Sequence, residues 1–349
     1  MVAAWGRITA GEIAVAARGA LLGGSADTAV AGVTTDTRTL RSGELFWALV
    51  GERFDGHDFM AAALEQGAAG VVGQATQVRA LTLPEGRVAV GVEDPLTALG
   101  DLASWWRRAH RAKVAALTGS AGKTTTKEMA AAVLDLEGAT LRNRGNFNNL
   151  VGLPLTLLGL GEEHRYAILE MGMNRPGEIG RLTEIADPEV GLITNVARAH
   201  LEGLGDIRAV ARAKAELLER IRPEATAVLN GDDTLLMAEA RRFQGKVVTF
   251  GLGAGNHVRA EGIRPLGRSG ILFDLVRESE RVEVRLHVPG RQNVLNALAA
   301  SALAGCLGVD LQTVSQGLEG FEGVPGRYTV LDLPGGGILV DDTYNANPS

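Results

Sequence analysis

The 349-residue sequence predicts an α/β protein with a small α/β N-terminal domain, a central doubly wound domain and an added antiparallel sheet. Two observations predict this class. Apolar segments of strand length alternate with segments of helix length along most of the chain, as in parallel sheets covered by helices. Hydrophobic residues make up 46% of the chain and aromatic residues only 4%, so Ala, Val, Leu and Ile must build the cores.

The overall composition limits the kind of protein further. A chain of 349 residues exceeds one ordinary hydrophobic core, so two or three domains are expected. The formal net charge of -6 argues against a nucleic acid as the main partner. No apolar run approaches the ~20 residues of a membrane helix, and Arg7 and Glu12 interrupt the N-terminal segment, which is unlike a signal peptide. We expect a cytoplasmic monomer without a membrane partner.

Residues 1–93 are predicted to form the N-terminal domain. Its expected elements are a strand at 44–51, a helix at 57–66 and short strands at 70–73 and 88–92. Ahead of them, the segment TTDTR places hydroxyls, a carboxylate and a guanidinium in one short turn. Such a cluster suits recognition of a base or a phosphate, and an Asx-type turn that stabilises itself accounts for it equally well.

Residues 94–326 are predicted to form the central domain, with the boundary placed near Asp94 just before a helix. The alternating elements expected after that helix are a strand from Val114, a helix at 123–136, strands at 166–170 and 190–196, a helix at 206–221 and strands at 227–230 and 246–250. This alternation is typical of a doubly wound parallel sheet.

The C-terminal third departs from that alternation. Residues 258–288 change to a period of two, which predicts antiparallel strands added to one side of the sheet. Two helices are expected next, at 293–307 and 311–318. Residues 327–349 are predicted to start a third domain with a hairpin whose turn lies at Pro334.

The most informative stretch is VAALTGSAGKTTTK, in which an apolar strand enters a glycine loop and then a helix. Gly119 and Gly122 allow backbone N–H groups to approach a ligand closely. Lys123 supplies a mobile positive charge, and the Thr124 hydroxyl can reach a magnesium ion on bound phosphates. The N-terminus of the helix adds its partial positive charge at the same point. The stretch therefore predicts a phosphate-binding loop.

This loop is a shortened version of the standard G-x-x-x-x-G-K-[ST] pattern, because Leu117 occupies the first glycine position. The alternative interpretation is a Gly/Thr-rich strand-to-helix turn that binds nothing. The order of strand, loop, Lys-Thr and helix favours phosphate binding.

Two further strands end in polar residues that parallel pairing would bring to the same edge of the sheet. YAILE ends in Glu170, and GLITN ends in Asn195, with His200 shortly after it. Glu170 is a candidate magnesium ligand, because the acidic residue that ends a second strand holds the magnesium ion in other phosphate-loop enzymes. Taken alone, each side chain is more often a solvated or structural residue, and their convergence favours a functional role.

Lys214 interrupts the apolar stripe of the helix predicted at 206–221, and it therefore faces inward. Two interpretations stay open at this point. The side chain extends its amine to the helix edge, or it projects into an active site and is chemically modified there.

Several ordered segments together resemble the Mur ligase family, the ATP-dependent amide-forming enzymes of peptidoglycan precursor synthesis. The segments are TGSAGKTTTK, NFNNLVGLPLT, EMGMNRPGEIG, NVARAHLEGLG, PGRQNVLNALAA and DDTYNANPS. EMGMNRPGEIG and DDTYNANP are most similar to the branch that adds D-alanyl-D-alanine to UDP-N-acetylmuramoyl-tripeptide. The N-terminal TDTR…SGELFWALVGERFDGHDF is similar to a UDP-binding domain found in that family.

The resemblance implies an ATP-dependent peptide ligase in which the central domain is the P-loop ATPase. The γ-phosphoryl group of ATP would pass to the terminal carboxylate of UDP-N-acetylmuramoyl-tripeptide, and the amine of D-alanyl-D-alanine would attack the resulting acyl phosphate. The implied catalytic residues are Lys123, Glu170, His200 and Lys214. Asn296 would contact the adenine, Arg327 the phosphates and Asp342 the ribose.

The resemblance also assigns the remaining ligand contacts. Two Mg²⁺ ions would be held by Thr124, Glu170, His200 and Lys214, the last as a carbamate formed with CO2. The rest of the ATP site would consist of Gly119, Ser120, Ala121, Gly122 and Thr125. The UDP-linked substrate would be contacted by Thr35, Asp36, Thr37, Arg38, Asn148 and Asn149.

Two departures from the family pattern are visible. Gln292 stands where the family often has histidine. The family's third, C-terminal domain has no counterpart after Ser349, so we expect this chain alone to bind substrates but to ligate poorly. The competing hypotheses are a sibling Mur-type or folylpolyglutamate-like amide ligase and a non-catalytic nucleotide-binding module.

Overall fold

The structure is a computed structural model that describes residues 5–197, 206–333 and 337–344. The chain forms two compact units. The first comprises residues 1–111 and 150–162, and the second comprises residues 112–149 and 163–349. The chain therefore enters the second unit at residue 112, returns to the first unit for residues 150–162 and then continues in the second unit.

The helices and strands follow the order that the sequence predicts, with several short elements added. The described helices are α1 (Ala10–Ala16), α2 (Met60–Glu65), α3 (Ala75–Ala80), α4 (Pro95–Ala109), α5 (Lys123–Asp135), α6 (Gly152–Leu157), α7 (Glu178–Ala186), α8 (Ile207–Arg220), α9 (Thr234–Ala240), α10 (Arg291–Cys306) and α11 (Leu311–Glu319). The strands in the first unit are β1 (Ala20–Gly23), β2 (Gly32–Thr34), β3 (Glu44–Trp47), β4 (Gly70–Gln74) and β5 (Val88–Val92).

The strands of the second unit include the predicted antiparallel addition. They are β6 (Lys113–Thr118), β7 (Thr140–Arg142), β8 (Tyr166–Glu170), β9 (Val190–Ile193), β10 (Thr226–Asn230), β11 (Lys246–Gly251), β12 (Val258–Pro265), β13 (Ile271–Arg277), β14 (Glu280–Leu286), β15 (Thr329–Asp332) and β16 (Ile338–Asp341). Three short 3-10 turns lie at Thr37–Thr39, Gly56–Phe59 and Gly267–Ser269.

In the described part of the first unit, the strands form one sheet in the order β1-β5-β4-β3-β2. The pairs from β5 to β2 are parallel, and β1 joins β5 antiparallel. Apolar side chains of β3, β4 and α2, among them Phe46, Met60 and Val71, build its core. This agrees with the predicted small α/β domain.

The end of the first unit differs from the boundary predicted near Asp94. Helix α4 belongs to this unit, which extends to Arg111. Its N-terminus is well defined, because the Asp94 carboxylate accepts a hydrogen bond from the Thr97 backbone N–H at 2.6 Å. The Trp47 indole N–H also donates to the carbonyl oxygen of Pro95 at 2.8 Å, which ties α4 to the sheet.

The second unit is built on a sheet in the order β14-β13-β12-β11-β10-β9-β6-β8-β7. The pairs from β12 to β7 are parallel, and β12, β13 and β14 pair antiparallel. The predicted doubly wound sheet with an added antiparallel part is therefore confirmed. Helix α10 is buried on almost all sides from Asn293 to Ala304 and packs against α5 and the sheet, as expected of a helix apolar all round.

Strands β15 and β16 form the predicted hairpin, although its expected turn at Pro334 lies outside the described residues. Within the described ranges, no helix has both the length and the apolar character needed to span a membrane.

Candidate active site

Three adjacent parallel strands end at one edge of the second unit's sheet. Strand β6 lies between β8 and β9. After β6, the chain adds β7 and β8 on one side of this strand and then β9 on its other side. Such a switch in winding direction opens a crevice at the carboxyl ends of the strands. The structure thereby brings together the loop after Thr118, Glu170 and the segment that begins at Thr194.

Two glycines give the loop after β6 its shape. Gly119 has a φ of +151° and Gly122 a φ of +79°, and Gly122 is the residue from which α5 starts. A Cβ atom at Gly119 would overlap the Thr194 hydroxyl, and one at Gly122 would overlap the Asn296 side-chain oxygen. Both positions therefore require glycine. The first N–H groups of α5 point out of its start, as in anion-binding helix termini.

The end of β9 braces this loop. The Thr194 hydroxyl donates to the carbonyl oxygen of Ala121 at 2.6 Å, and the Asn195 side-chain oxygen accepts from the Ala121 N–H at 3.0 Å. The Ser120 backbone N–H donates to the Asn195 carbonyl oxygen at 3.1 Å. Asn195, which the sequence placed at this edge, therefore holds the loop in shape.

Lys123 is folded onto the same loop. Its Nζ donates to the carbonyl oxygen of Gly119 at 2.8 Å. Burial lowers the pKa of this amine, the nearby Arg327 charge lowers it further, and Glu170 opposes both effects. The amine therefore lies where it can exchange a carbonyl partner for a phosphate oxygen.

Glu170 lies at the end of β8 with a fully specified orientation. Its side chain is 3% exposed, and its two carboxylate oxygens accept from the Thr124 hydroxyl and the Asn148 amide, each at 2.9 Å. Mg²⁺ prefers oxygen ligands, commonly one or two carboxylates together with the substrate phosphates. The adjacent hydroxyl and carboxylate fit such an ion.

The structure describes only one of the other two predicted metal ligands. His200 lies outside the described residues. Within the described ranges, no three His, Cys, Asp or Glu side chains group around one point. Lys214 on α8 is 1% exposed, which agrees with its predicted inward position.

The amine of Lys214 is perturbed by its surroundings. Burial lowers its pKa from 10.5 to about 7, and the positive charge of Lys123 contributes in the same direction. A substantial fraction of this amine is therefore neutral near pH 7, which is the form that can react as a nucleophile.

A cavity of about 290 Å³ lies beside the loop. It brings together residues from distant parts of the sequence. Its lining consists of residues 120–125, Asn195, Gln292, Asn293, Leu295, Asn296, Arg327, Tyr328 and Asp342. The three residues that the resemblance connected with adenine, phosphates and ribose therefore share one cavity with the phosphate loop.

Two of these predicted ATP contacts are held by neighbours that the sequence reasoning missed. The Arg327 guanidinium lies 4.4 Å from the centre of the Tyr344 ring, a cation–π geometry. The Asp342 carboxylate accepts from the Tyr328 backbone N–H at 3.2 Å. Tyr344 belongs to the DDTYNANP motif, so the motif itself was the available signal.

The residues predicted to contact UDP lie in the first unit, at the carboxyl end of β2. The Asp36 carboxylate accepts from the backbone N–H of Arg38 at 2.9 Å and pairs with its guanidinium at 2.6 Å, which lowers the Asp36 pKa to about 2. The turn that stabilises itself is thus present. The ligand contacts of Thr35, Asp36, Thr37 and Arg38 stay predictions.

Asn148 and Asn149 were assigned by resemblance to the UDP-linked substrate. Asn148 lies at the phosphate-loop edge, where its side-chain amide donates to the Glu170 carboxylate. Asn149, which follows it, is exposed. Any contact of either side chain with the substrate stays a prediction.

Comparison with known proteins gives consistent results. Residues 117–304 match the Mur ligase middle domain, and residues 29–107 match a region described as the Mur ligase family, catalytic domain. The chain is 43% identical over 323 residues to the UDP-N-acetylmuramoyl-tripeptide–D-alanyl-D-alanine ligase of Synechocystis sp., covering 92% of this chain and 68% of that protein.

Two solved structures are also similar. MurF from Acinetobacter baumannii aligns with a TM-score of 0.90 and 36% identity, covering 97% of this chain and 74% of that one. A MurF ligase from Thermotoga maritima in complex with ADP aligns with a TM-score of 0.81 and 31% identity, covering 90% of this chain and 71% of that one. The chain therefore spans about two thirds to three quarters of the length of these relatives.

Proposed function

The chain belongs to the Mur ligase family, and from this membership we propose that it acts as an ATP-dependent ligase that joins D-alanyl-D-alanine to UDP-N-acetylmuramoyl-tripeptide in peptidoglycan precursor synthesis. The observation that carries the proposal is the 43% identity, over 92% of this chain, to a ligase of that name. The geometry of the phosphate-loop edge supports it, because the loop, Lys123, Asn296, Arg327 and Asp342 line one cavity.

The first step is transfer of the γ-phosphoryl group of ATP to the tripeptide's terminal carboxylate. A carboxylate oxygen attacks the γ-phosphorus, the bond to the β-phosphate oxygen breaks, and ADP leaves with that electron pair. The loop N–H groups and Lys123 surround the phosphates and offset the negative charge. Asn296, Arg327 and Asp342 hold the nucleotide in the cavity beside the loop.

The second step is formation of the amide bond. The amine of D-alanyl-D-alanine attacks the acyl carbon, inorganic phosphate leaves, and the ammonium formed in the attack loses its proton. Activation is required because a free carboxylate is a poor acyl donor. In this proposal the protein orients the two substrates while the phosphoryl transfer supplies the driving force.

The proposed metal ligands are Thr124 and Glu170 for one Mg²⁺, with His200 and a carbamate on Lys214 for a second. Bound Mg²⁺ supplies positive charge at the phosphate oxygens. Glu170 is suited to this role because Thr124 and Asn148 already fix both of its oxygens.

The proposed carbamate rests on the lowered pKa of Lys214. The neutral amine attacks the carbon of CO2 and loses a proton, which leaves a carboxylate on Nζ. This reaction gives the buried side chain a negative charge and carboxylate oxygens, which suit a ligand of a metal ion.

The first unit is the proposed site of the UDP-linked substrate. The UDP group is bound by Thr35, Asp36, Thr37 and Arg38, and both Asn148 and Asn149 lie near the muramoyl-peptide. The protein acts as a monomer in the cytoplasm, where ATP is supplied.

The test is phosphate release from ATP by the full-length protein. Wild-type protein is expected to release phosphate only when UDP-N-acetylmuramoyl-tripeptide and D-alanyl-D-alanine are both present. Lys123→Ala is expected to lower this rate by roughly 100-fold or more, because a charge that stabilises the transferring phosphoryl group is lost. Binding of the UDP-linked substrate to this variant, measured by calorimetry, should be retained.

Lys246→Ala serves as the matched control, since Lys246 is exposed at the start of β11 and lies outside the cavity. It should keep the wild-type rate. Wild-type turnover in Lys123→Ala would contradict the assignment of the loop. Release that depends on a different amine would assign the protein to another branch of the family.

A further inference from the structure

The side chain of Asn143 pairs with the backbone of Glu170. Asn143 follows β7 directly and is 1% exposed. Its Oδ1 accepts from the Glu170 N–H at 2.9 Å, and its Nδ2 donates to the Glu170 carbonyl oxygen at 2.8 Å. The backbone pairing of β7 with β8 ends at Arg142 and Ile168. The Asn143 amide therefore extends this ladder to the last residue of β8.

The same amide also holds the loop that follows β7. Nδ2 of Asn143 donates to the carbonyl oxygen of Phe147 at 2.9 Å. The next residue, Asn148, donates from its side chain to Oε1 of Glu170 at 2.9 Å, and its carbonyl oxygen accepts from the Gly172 N–H at 2.7 Å. One buried amide thus fixes both the backbone of Glu170 and the loop that orients its carboxylate.

Asn143 is itself held from helix α5. Lys127 lies one helical turn after Lys123 and is 1% exposed. Its Nζ donates to the carbonyl oxygen of Asn143 at 2.6 Å and pairs with the Glu128 carboxylate at 3.0 Å. A buried lysine is costly unless its charge is paired and hydrogen-bonded, as it is here. The contact connects the phosphate-loop helix to the residue that holds Glu170.

We infer that Asn143, supported by Lys127, is a positioning residue that sets the orientation of the Glu170 carboxylate for a divalent cation. The inference rests on the proposed role of Glu170 as a ligand of the nucleotide's metal ion. Asn143 touches neither the ion nor the substrate in this scheme. It acts through the backbone of Glu170 and through Asn148, as residues behind a metal ligand do elsewhere.

The test is direct measurement of metal affinity in the full-length protein. Mn²⁺ is titrated in the presence of ADP, and bound and free ions are distinguished by electron paramagnetic resonance. Asn143→Ala is expected to weaken Mn²⁺ affinity by roughly 10- to 100-fold, the usual effect of removing a partner of a metal ligand. ADP binding without a divalent ion, measured by calorimetry, should change much less.

Asn256→Ala is the matched control for a merely structural loss. Asn256 is also buried in the second unit, and its amide donates to the Asp232 carboxylate at 2.8 Å and to the Gly253 carbonyl oxygen at 3.0 Å. Both variants should lower the melting temperature. Only the Asn143 variant should weaken Mn²⁺ binding.

Asn143→Ser covers the case in which the alanine variant does not fold. Its neutral hydroxyl can serve part of this hydrogen bonding but cannot replace all three bonds that the amide makes to Glu170 and Phe147, so we expect a smaller decrease in Mn²⁺ affinity. A wild-type affinity in whichever variant folds would overturn the inference. Glu170→Gln distinguishes the proposed metal site from the proposed role of Asn143. If Glu170→Gln and the Asn143 variant both bind Mn²⁺ with wild-type affinity, the proposed metal site is wrong. If only Glu170→Gln binds Mn²⁺ weakly, only the role of Asn143 is wrong.

Discussion

At the level of single residues, Gly122 is restricted in two independent ways. Its φ of +79° disfavours any side chain, and the Asn296 oxygen occupies the space where a Cβ atom would lie. Gly122→Ala is therefore expected to lower the free energy of unfolding by at least the roughly 1–2 kcal/mol of a left-handed residue. It should also weaken ADP binding, because Asn296 and the loop must move apart.

Gly177 separates these two effects. It also precedes a helix, α7, and has a φ of +89°, but nothing lies within 4 Å of an added Cβ atom. Gly177→Ala should show the backbone cost in chemical denaturation while ADP affinity by calorimetry stays at the wild-type value. Equal nucleotide affinities in the two variants would show that the contact with Asn296 is unimportant.

The pKa of Lys214 predicts how formation of the proposed carbamate depends on pH. Below its pKa of about 7 the amine is protonated and cannot attack CO2, and above that value it is neutral. Carbamate formation should therefore rise as the pH increases from 6 to 8 at constant dissolved CO2. The measurement is the carbamate signal in ¹³C nuclear magnetic resonance with labelled CO2.

Lys214→Met provides the control for that signal, which should disappear in the variant. A lysine with the usual pKa of 10.5 would become reactive only at a much higher pH. A signal that is absent at pH 8 would contradict the proposed carbamate, and one that survives in Lys214→Met would assign it to another amine.

At the level of secondary-structure elements, α4 is anchored by Trp106. This buried side chain stacks on Trp5 with ring centres 4.2 Å apart, and its indole N–H donates to the carbonyl oxygen of Leu160 at 2.9 Å. Trp106→Phe keeps an aromatic ring but leaves that carbonyl without its donor. We expect a loss of about 1–3 kcal/mol in the free energy of unfolding, measured with urea.

Trp105→Phe is the comparison for this change. Trp105 lies on the same helix and is half-buried, and within the described residues its indole donates no hydrogen bond. The variant should be nearly as stable as wild type. A similar loss in both variants would indicate that ring size, and not the bond to Leu160, determines the effect.

Elements with a clear pattern could be predicted from the sequence. The strand at 166–170 was predicted residue for residue, because an apolar run with a polar end has one simple interpretation. Helices α6 and α7 were not assigned. They lie within motifs rich in Gly, Pro and Asn, and α6 has only six residues, too few to show a helical period.

The candidate site could be predicted in part for the same reason. Glu170 and Asn195 were placed at the phosphate-loop edge because parallel strands end on the same side of a sheet. Asn143 could not be found in this way. Its side-chain amide pairs with the backbone of Glu170, 27 residues later in the chain, in the way that a neighbouring strand would. No periodic sequence pattern marks such a contact.

At the level of the whole molecule, the sequence predicts a division into domains, but it does not show which residues belong to each unit. The boundary was placed near Asp94 because a helix starts there, and composition does not show which unit a connecting helix packs against. The contacts of α4 assign it to the first unit. The return of residues 150–162 to that unit leaves no compositional trace either, because NFNNLVGLPLT continues across the crossing.

The discontinuous first unit affects how the chain folds during its synthesis. Its sheet is complete once residue 92 has been made, yet Leu160, which accepts the Trp106 bond, is made only after β6, α5 and β7. Domains generally fold as units in the order of their synthesis. On the ribosome, the first unit is therefore expected to complete its fold only after α6 has been made, when the first strands of the second unit have already been synthesised.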